Sequence, residues 1–310
     1  FPPDDIYEKE WTNEDKESFR CYRQDIGDSF MYCYNILRVS MLSSLTIHFT
    51  LAGNDLTSKL DNDNGKSWQY LEAVIYTFGS IAENVDIEES TYLPQIFNSL
   101  PKIPFHQVQS PRLMSTTMDM IAAYSEWIFN HTSYLPNVIQ LMMLGLKSHQ
   151  QVTISATMAL KDIIRECQTV IQPYSGQVLS VCEELLKETR LKPKEQARLM
   201  CTVGLVLSIM PIDMIMNSIE KFVTPIFFKL QNIINQCDQN PANCPAFKDE
   251  VANQLNMLAM LFSTLDVNLK RVEIEEGDSA LLKSIAEKSP KNTETPQPIY
   301  IVLQQVIDLD

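Results

Sequence analysis

Along almost the whole chain, apolar residues recur at intervals of three and four and never alternate at intervals of two, a pattern that predicts helices and no strands. The first helix opens after Thr12, which stands three residues ahead of Asp15 in capping-box spacing. It sets Phe19, Tyr22, Ile26, Phe30, Cys33 and Leu37 on one face, expected to be buried. Residues 39–51 form a second stretch or its continuation, followed by the polar loop Asp61-Asn62-Asp63-Asn64-Gly65. A helix over 67–85 aligns Leu71, Val74, Ile75, Phe78, Ile81, Ala82 and Val85. Further helices are predicted at 90–100, 109–130, 133–147, 150–169, 173–189, 194–210, 212–236 and 247–266. Pro104, Pro111, Pro173, Pro193, Pro211, Pro241 and Pro245 fall between these helices or in first turns, where the missing N–H does least harm.

A landmark repeats. Leu93-Pro94-Gln95-Ile96 returns as Leu135-Pro136-Asn137-Val138 after 42 residues, Pro173 follows Pro136 by 37, and Pro225 follows Pro173 by 52. These spacings bracket the ~40–47 residues of HEAT and armadillo units. The clearest unit runs from Tyr134 to Ile164, with small Ala156 and Ala159 on its second helix to allow close stacking. The expected fold is therefore all-α, an α-solenoid of HEAT-like antiparallel helix pairs. About five pairs are expected over 1–266, an acidic, proline-containing linker over 267–297, and the start of a further repeat over 298–310. A chain that begins at Phe1 and stops inside an apparent helix is expected to be an internal piece of something longer.

Composition narrows the function. With 45% hydrophobic and 21% charged residues among 310, the chain can bury a substantial core. Its 8 glycines never fall in G-x-G-x-x-G or G-x-x-x-x-G-K spacing, which disfavours a phosphate cradle. A net charge of -14 repels nucleic-acid phosphates and suits basic partners, so no direct nucleic acid is expected. The longest apolar run, near 203–212, falls short of the ~18–20 residues of a membrane span, so no membrane insertion is expected. Cys21, Cys33, Cys167, Cys182, Cys201, Cys237 and Cys244 hold no C-x-x-C pair and are expected as reduced, buried small hydrophobes. Asn130-His131-Thr132 matches a glycosylation sequon, but without a preceding signal peptide no glycan is expected.

Catalytic and metal-binding patterns are missing. His48, His106, His131 and His149 are isolated, no G-x-S-x-G occurs, and neither metal, cofactor nor enzymatic activity is expected. Asp61, Asp63 and Glu72 occupy positions 1, 3 and 12 of an EF-hand loop, but Gly65 is one position early and Trp68 stands where a small aliphatic is usual, so a solvated loop is expected.

What remains is surface. Trp68, Glu72, Tyr76 and Glu83 form a second stripe on the helix over 67–85. Arg112, Ser115, Asp119 and Glu126 do so on the helix over 109–130, and Lys161, Arg165 and Gln168 on that over 150–169. Each stripe alone also reads as a solvated face. On a solenoid whose second helices line one groove they lie side by side and become candidate partner-binding residues. Glu83, Asp86, Glu88 and Glu89 add an acidic turn suited to a basic partner.

The same residues carry a resemblance. Trp11, Glu14-Asp15-Lys16-Glu17, Phe19-Arg20, Tyr22-Arg23, Asp25-Ile26, Ser67-Trp68-Gln69, Glu72-Ala73 and Ser80-Ile81-Ala82-Glu83 resemble the middle of nuclear transport receptors of the importin-β family. Ser125-Glu126-Trp127, Arg165-Glu166-Cys167, Phe262-Ser263-Thr264-Leu265-Asp266 and Ile301-Val302-Leu303-Gln304-Gln305-Val306 extend it in order. The resemblance implies a HEAT superhelix that shuttles between cytoplasm and nucleus, binding folded cargo with basic patches and RanGTP, the latter through a partial site only. Nucleoporin FG repeats are a further implied partner. It also implies that Glu83 and Asp86 match the family's acidic turn, and that Trp68, Glu72, Asp119 and Glu126 lie on the inner face. The loop Cys237 to Pro245 matches nothing in the family. A HEAT scaffold of the phosphatase or vesicle-coat type would share these architectural features, and an all-α enzyme would need a closed cavity.

Overall fold

The computed structural model describes residues 1–2, 4–59, 68–108, 110–188 and 190–275, and every regular element in it is helical. The chain divides into two compact units, Phe1–Ile171 and Gln172–Asp310. The first contains α1 (Asp4–Lys9), α2 (Asn13–Leu37), α3 (Val39–Lys59), α4 (Trp68–Ile81), α5 (Leu93–Ser99), α6 (Arg112–Ala123), α7 (Ser125–Asn130), α8 (Leu135–Leu146) and α9 (Gln150–Glu166). The second contains α10 (Ser175–Leu186), α11 (Pro193–Leu207), α12 (Ile212–Gln239) and α13 (Lys248–Glu275).

Local chemistry explains where the helices begin. Thr12 and Asp15 close the expected capping box: Asp15 N–H donates to Thr12 Oγ1 at 3.2 Å, and Thr12 N–H donates to Asp15 Oδ2 at 2.9 Å. Pro94, Pro136 and Pro193 sit in first turns, as their fixed φ favours. Glu195 Oε2 accepts the Lys192 N–H at 2.8 Å and satisfies the start of α11. Between α2 and α3 there is no loop. Arg38 takes φ 47° and turns the chain in a single residue, the one positive-φ non-glycine among the described residues.

Packing follows the solenoid plan. Within the first unit α4 lies against α6 and α6 against α9, while α3, α5 and α8 back them; within the second, α11 lies against α13. The layer of second helices is bound together by fully buried Leu71, Ile75 and Phe78 of α4, Leu113 and Met118 of α6, and Ala156, Leu160 and Ile164 of α9. Gly204 on α11 lets α13 approach so closely that an added Cβ would lie 2.6 Å from the Leu261 carbonyl oxygen. α13 runs on to Glu275, so residues 267–275, at the head of the expected linker, are helical. Residues 276–310, with the remainder of that linker and the expected further repeat, lie outside the described residues, as does the Asp61–Gly65 loop.

Two expectations need correction. α2 buries Gly27 and Tyr34 against the rest of the unit; Phe19, Ile26 and Phe30 are half-buried, and Tyr22, Cys33 and Leu37 are exposed. A period of three and four fixes which face is apolar but not whether anything covers it. For the same reason Cys21 and Cys33 are exposed and Cys244 half-buried, whereas Cys167, Cys182, Cys201 and Cys237 are buried as expected.

Candidate partner-binding surface

Of the stripe residues, Trp68, Glu72 and Arg112 turn inward. Trp68 is 4% exposed and Glu72 fully buried, so neither offers a side chain to a partner. Glu72 instead receives Arg23 of α2 through Nη2–Oε1 at 2.7 Å and Nη1–Oε2 at 3.1 Å, and Thr116 of α6 donates to Oε1 at 2.6 Å. A carboxylate can be this deeply buried because three donors, two of them from a cation, replace its water. Tyr76 completes the group: its ring lies 3.9 Å from the Arg23 guanidinium carbon and its hydroxyl donates to the Arg23 carbonyl at 2.5 Å. Gly27 makes room, since a Cβ there would sit 3.1 Å from the Tyr76 hydroxyl.

Around this group opens a recess of about 470 Å³ whose walls include Tyr76, Ser115, Asp119, Arg23 and Arg112. Asp119 is reached by solvent at the mouth. The walls crowd its carboxyl, and that desolvation raises its pKa above the ordinary 3.8; a hydrogen bond with Ser155 and the charge of Arg23 oppose the rise, and Glu72 adds to it. Ser115 and Ser155 share a hydroxyl hydrogen bond of 2.8 Å that ties α6 to α9 at this point.

Glu83 and Glu126 come together elsewhere. Both are exposed, and both line a separate notch of about 210 Å³ with Glu166 at the end of α9. Three carboxylates around so small a space, with no ion pair drawn to any of them among the described residues, suit a lysine or arginine side chain of a partner. Glu166 is absent from the sequence-based candidates because its position at the end of α9 places it beside α7 only once the helices stack.

The rest of the acidic turn divides by task. Glu89 caps α5: Oε1 accepts the N–H groups of Thr91 and Tyr92, each at 2.8 Å, and Oε2 that of Leu93 at 2.7 Å. Asp86 Oδ1 accepts the Glu88 N–H at 2.9 Å and shapes the turn. Both Glu89 oxygens are thus committed to backbone amides, whereas Asp86, with Oδ2 unbonded among the described residues, and Glu88 stay exposed. Trp127 Nε1 donates to the Glu89 carbonyl at 2.8 Å and fastens the turn to α7. On α9, Lys161 and Arg165 flank Asp162, at 3.2 and 3.8 Å, and face neither recess nor notch. Among the described residues no group of three His, Cys, Asp or Glu side chains is placed to hold a metal ion, and no helix is long and apolar enough to cross a membrane.

Residues 1–40 match the family model described as Importin 13 repeat. Over 309 residues, all of this chain, the sequence is 32% identical to importin-13 of Gallus gallus and to importin-13 of Homo sapiens. The chain is an importin-13-like segment. It spans 30% of the length of those curated relatives. A solved structure, "Importin13 cytosolic state", superposes with a TM-score of 0.76 at 32% identity, over 86% of this chain and 29% of that one. The mRNA transport regulator MTR10 of Saccharomyces cerevisiae is 21% identical over 261 residues, 82% of this chain and 25% of that protein. The HEAT-like solenoid expected from the proline landmarks is thus the fold of an importin, and the acidic notch of this importin-13-like chain lies where the turn after α4, the start of α7 and the end of α9 meet.

Proposed function

We propose that this chain is the partner-binding middle portion of a nuclear transport receptor, which carries folded proteins with basic patches and releases or captures them in response to RanGTP. The observation that carries the reading is the 32% identity to importin-13 over all of the chain. The notch of Glu83, Glu126 and Glu166 and the net charge of -14 support a basic partner, which such a field draws in faster than diffusion alone. Cargo and Ran compete for the exposed faces of α4, α6 and α9, a coupling of about 1–3 kcal/mol in systems of this kind. On this reading the receptor shuttles between cytoplasm and nucleus.

Affinity capture with the 310-residue chain from nuclear and cytosolic extract, with and without GTP-locked Ran, tests it. Recovery of basic nuclear proteins that changes with Ran, and that is lost in Glu83→Lys/Glu126→Lys/Glu166→Lys, is expected. Recovery of phosphatase or coat subunits indifferent to Ran would overturn it.

A further inference from the structure

The first eleven residues lie across the face that the sequence assigns to partners. Arg112, at the head of α6, is 4% exposed, yet among the described residues the carboxylates paired with it come from α1, more than a hundred residues earlier. Its Nε donates to Asp4 Oδ1 at 2.9 Å and its Nη2 to Glu8 Oε1 at 2.5 Å. Its guanidinium carbon lies 3.9 Å from the Tyr7 ring centre and 4.6 Å from that of Phe1, and Phe1 also lies 4.3 Å from the guanidinium of Arg23. Phe1, Tyr7 and Trp11 close over Phe19 edge to face, with Phe1 tilted against Trp68.

The two sides of this contact are unequal. α1 has six residues, none of them buried, and is too short to hold its own helix in water. Asp4 and Glu8 remain 37% and 56% exposed, so both lose little by returning to solvent. Arg112 loses much: a guanidinium walled in by protein and stripped of its carboxylates is strongly unfavourable. The surface is therefore easy to uncover and costly to leave bare, a condition met when one acidic segment replaces another.

We propose that residues 1–11 are an exchangeable intrachain strap, and that the Arg112–Arg23–Tyr76 surface beneath it binds an acidic, aromatic segment of a partner protein, with the strap as its built-in competitor. The chemistry of the ligand is that of the strap itself: two carboxylates one helical turn apart to fork onto Arg112, and rings to stack on both guanidiniums. This site takes acidic segments, whereas the notch of Glu83, Glu126 and Glu166 takes basic ones, and it stands whether or not Ran or any cargo binds.

A labelled synthetic peptide of residues 1–11 is the probe. Asp4→Asn/Glu8→Gln frees the strap, and this variant is expected to bind the peptide about tenfold more tightly than the unaltered chain does, a gain lost when Arg112→Gln is added. In the unaltered chain, excess unlabelled peptide is expected to speed amide hydrogen exchange over residues 4–10 while α6 and α9 keep their protection. Equal peptide binding by all three proteins would overturn the proposal. So would exchange over 4–10 that excess peptide leaves unchanged, or a freed-strap variant that loses protection throughout the first unit, since each marks α1 as a fixed part of the fold.

Discussion

Arg23 and Glu72, 49 residues apart in the chain, form a two-toothed ion pair with contacts of 2.7 and 3.1 Å, and Glu72 has no solvent exposure. Removing one partner of such a pair strands a buried charge. Glu72→Gln, which keeps the shape, is expected to cost about 3–5 kcal/mol, read as an earlier midpoint in urea with little change in slope. A loss below about 1 kcal/mol would mean that the pair is solvated in solution.

Glu88 and Glu89 are neighbours with opposite expectations. Glu89→Ala uncaps three amides at the entry to α5 and is expected to cost about 1–2 kcal/mol, with faster hydrogen exchange at Thr91, Tyr92 and Leu93. Glu88→Ala is expected to stay within about 0.5 kcal/mol of the unaltered chain. Equal effects would refute the division of tasks in this turn.

Asp119 holds its proton to a higher pH folded than unfolded, chiefly because its surroundings desolvate it. The stability it contributes is whole below its ordinary value of 3.8 and falls away as pH rises through the raised folded value. Asp119→Asn removes that decline. Thermal melts across this acidic range are expected to show the variant gaining on the unaltered chain as pH rises, and to stay ahead at neutrality. Parallel curves would show that Asp119 titrates alike in both states.

Thiol reactivity sorts the cysteines. Desolvation pushes the Cys167 and Cys182 thiols up to about 12, and a hydrogen bond with Cys244 contributes most to raising Cys237 to about 11. Iodoacetamide at pH 8 is expected to label exposed Cys21 and Cys33 first, and Cys167 and Cys182 only when the chain unfolds. Peptide mapping of timed samples reads the order. Early labelling of Cys182 would place an opening beside α11.

Helices and their pairing were legible because both rest on local signals. Apolar residues three and four apart mark a buried stripe whatever lies opposite, and the proline at Leu93-Pro94 and Leu135-Pro136 starts a helix by fixing its own φ. Partners set by stacking were not legible. Glu72 occupies an exposed-looking stripe, and only the approach of α2 and α6 brings Arg23 and Thr116 to it. Glu83 and Glu126 line one notch, but its third acid, Glu166, lies at the end of α9 and reaches them only once the helices stack. Glu89 is the exception that a closer reading reaches, since an acid four residues before the start of α5 is placed to cap it.

Arg112 binds the fate of the chain's opening residues to that of α6. A lineage that loses the arginine takes from Asp4 its ion pair and leaves Glu8 only Lys16, and one that drifts at both carboxylates inherits a buried cation. Change at either end therefore travels through intermediates of reduced fitness, and it passes most readily when both ends alter together. The same bond sets where the protein can be cut. A boundary drawn at Thr12, where the capping box marks a natural helix start, would separate α1 from the arginine it neutralises. The shorter piece would carry a different surface rather than a smaller copy of the same one.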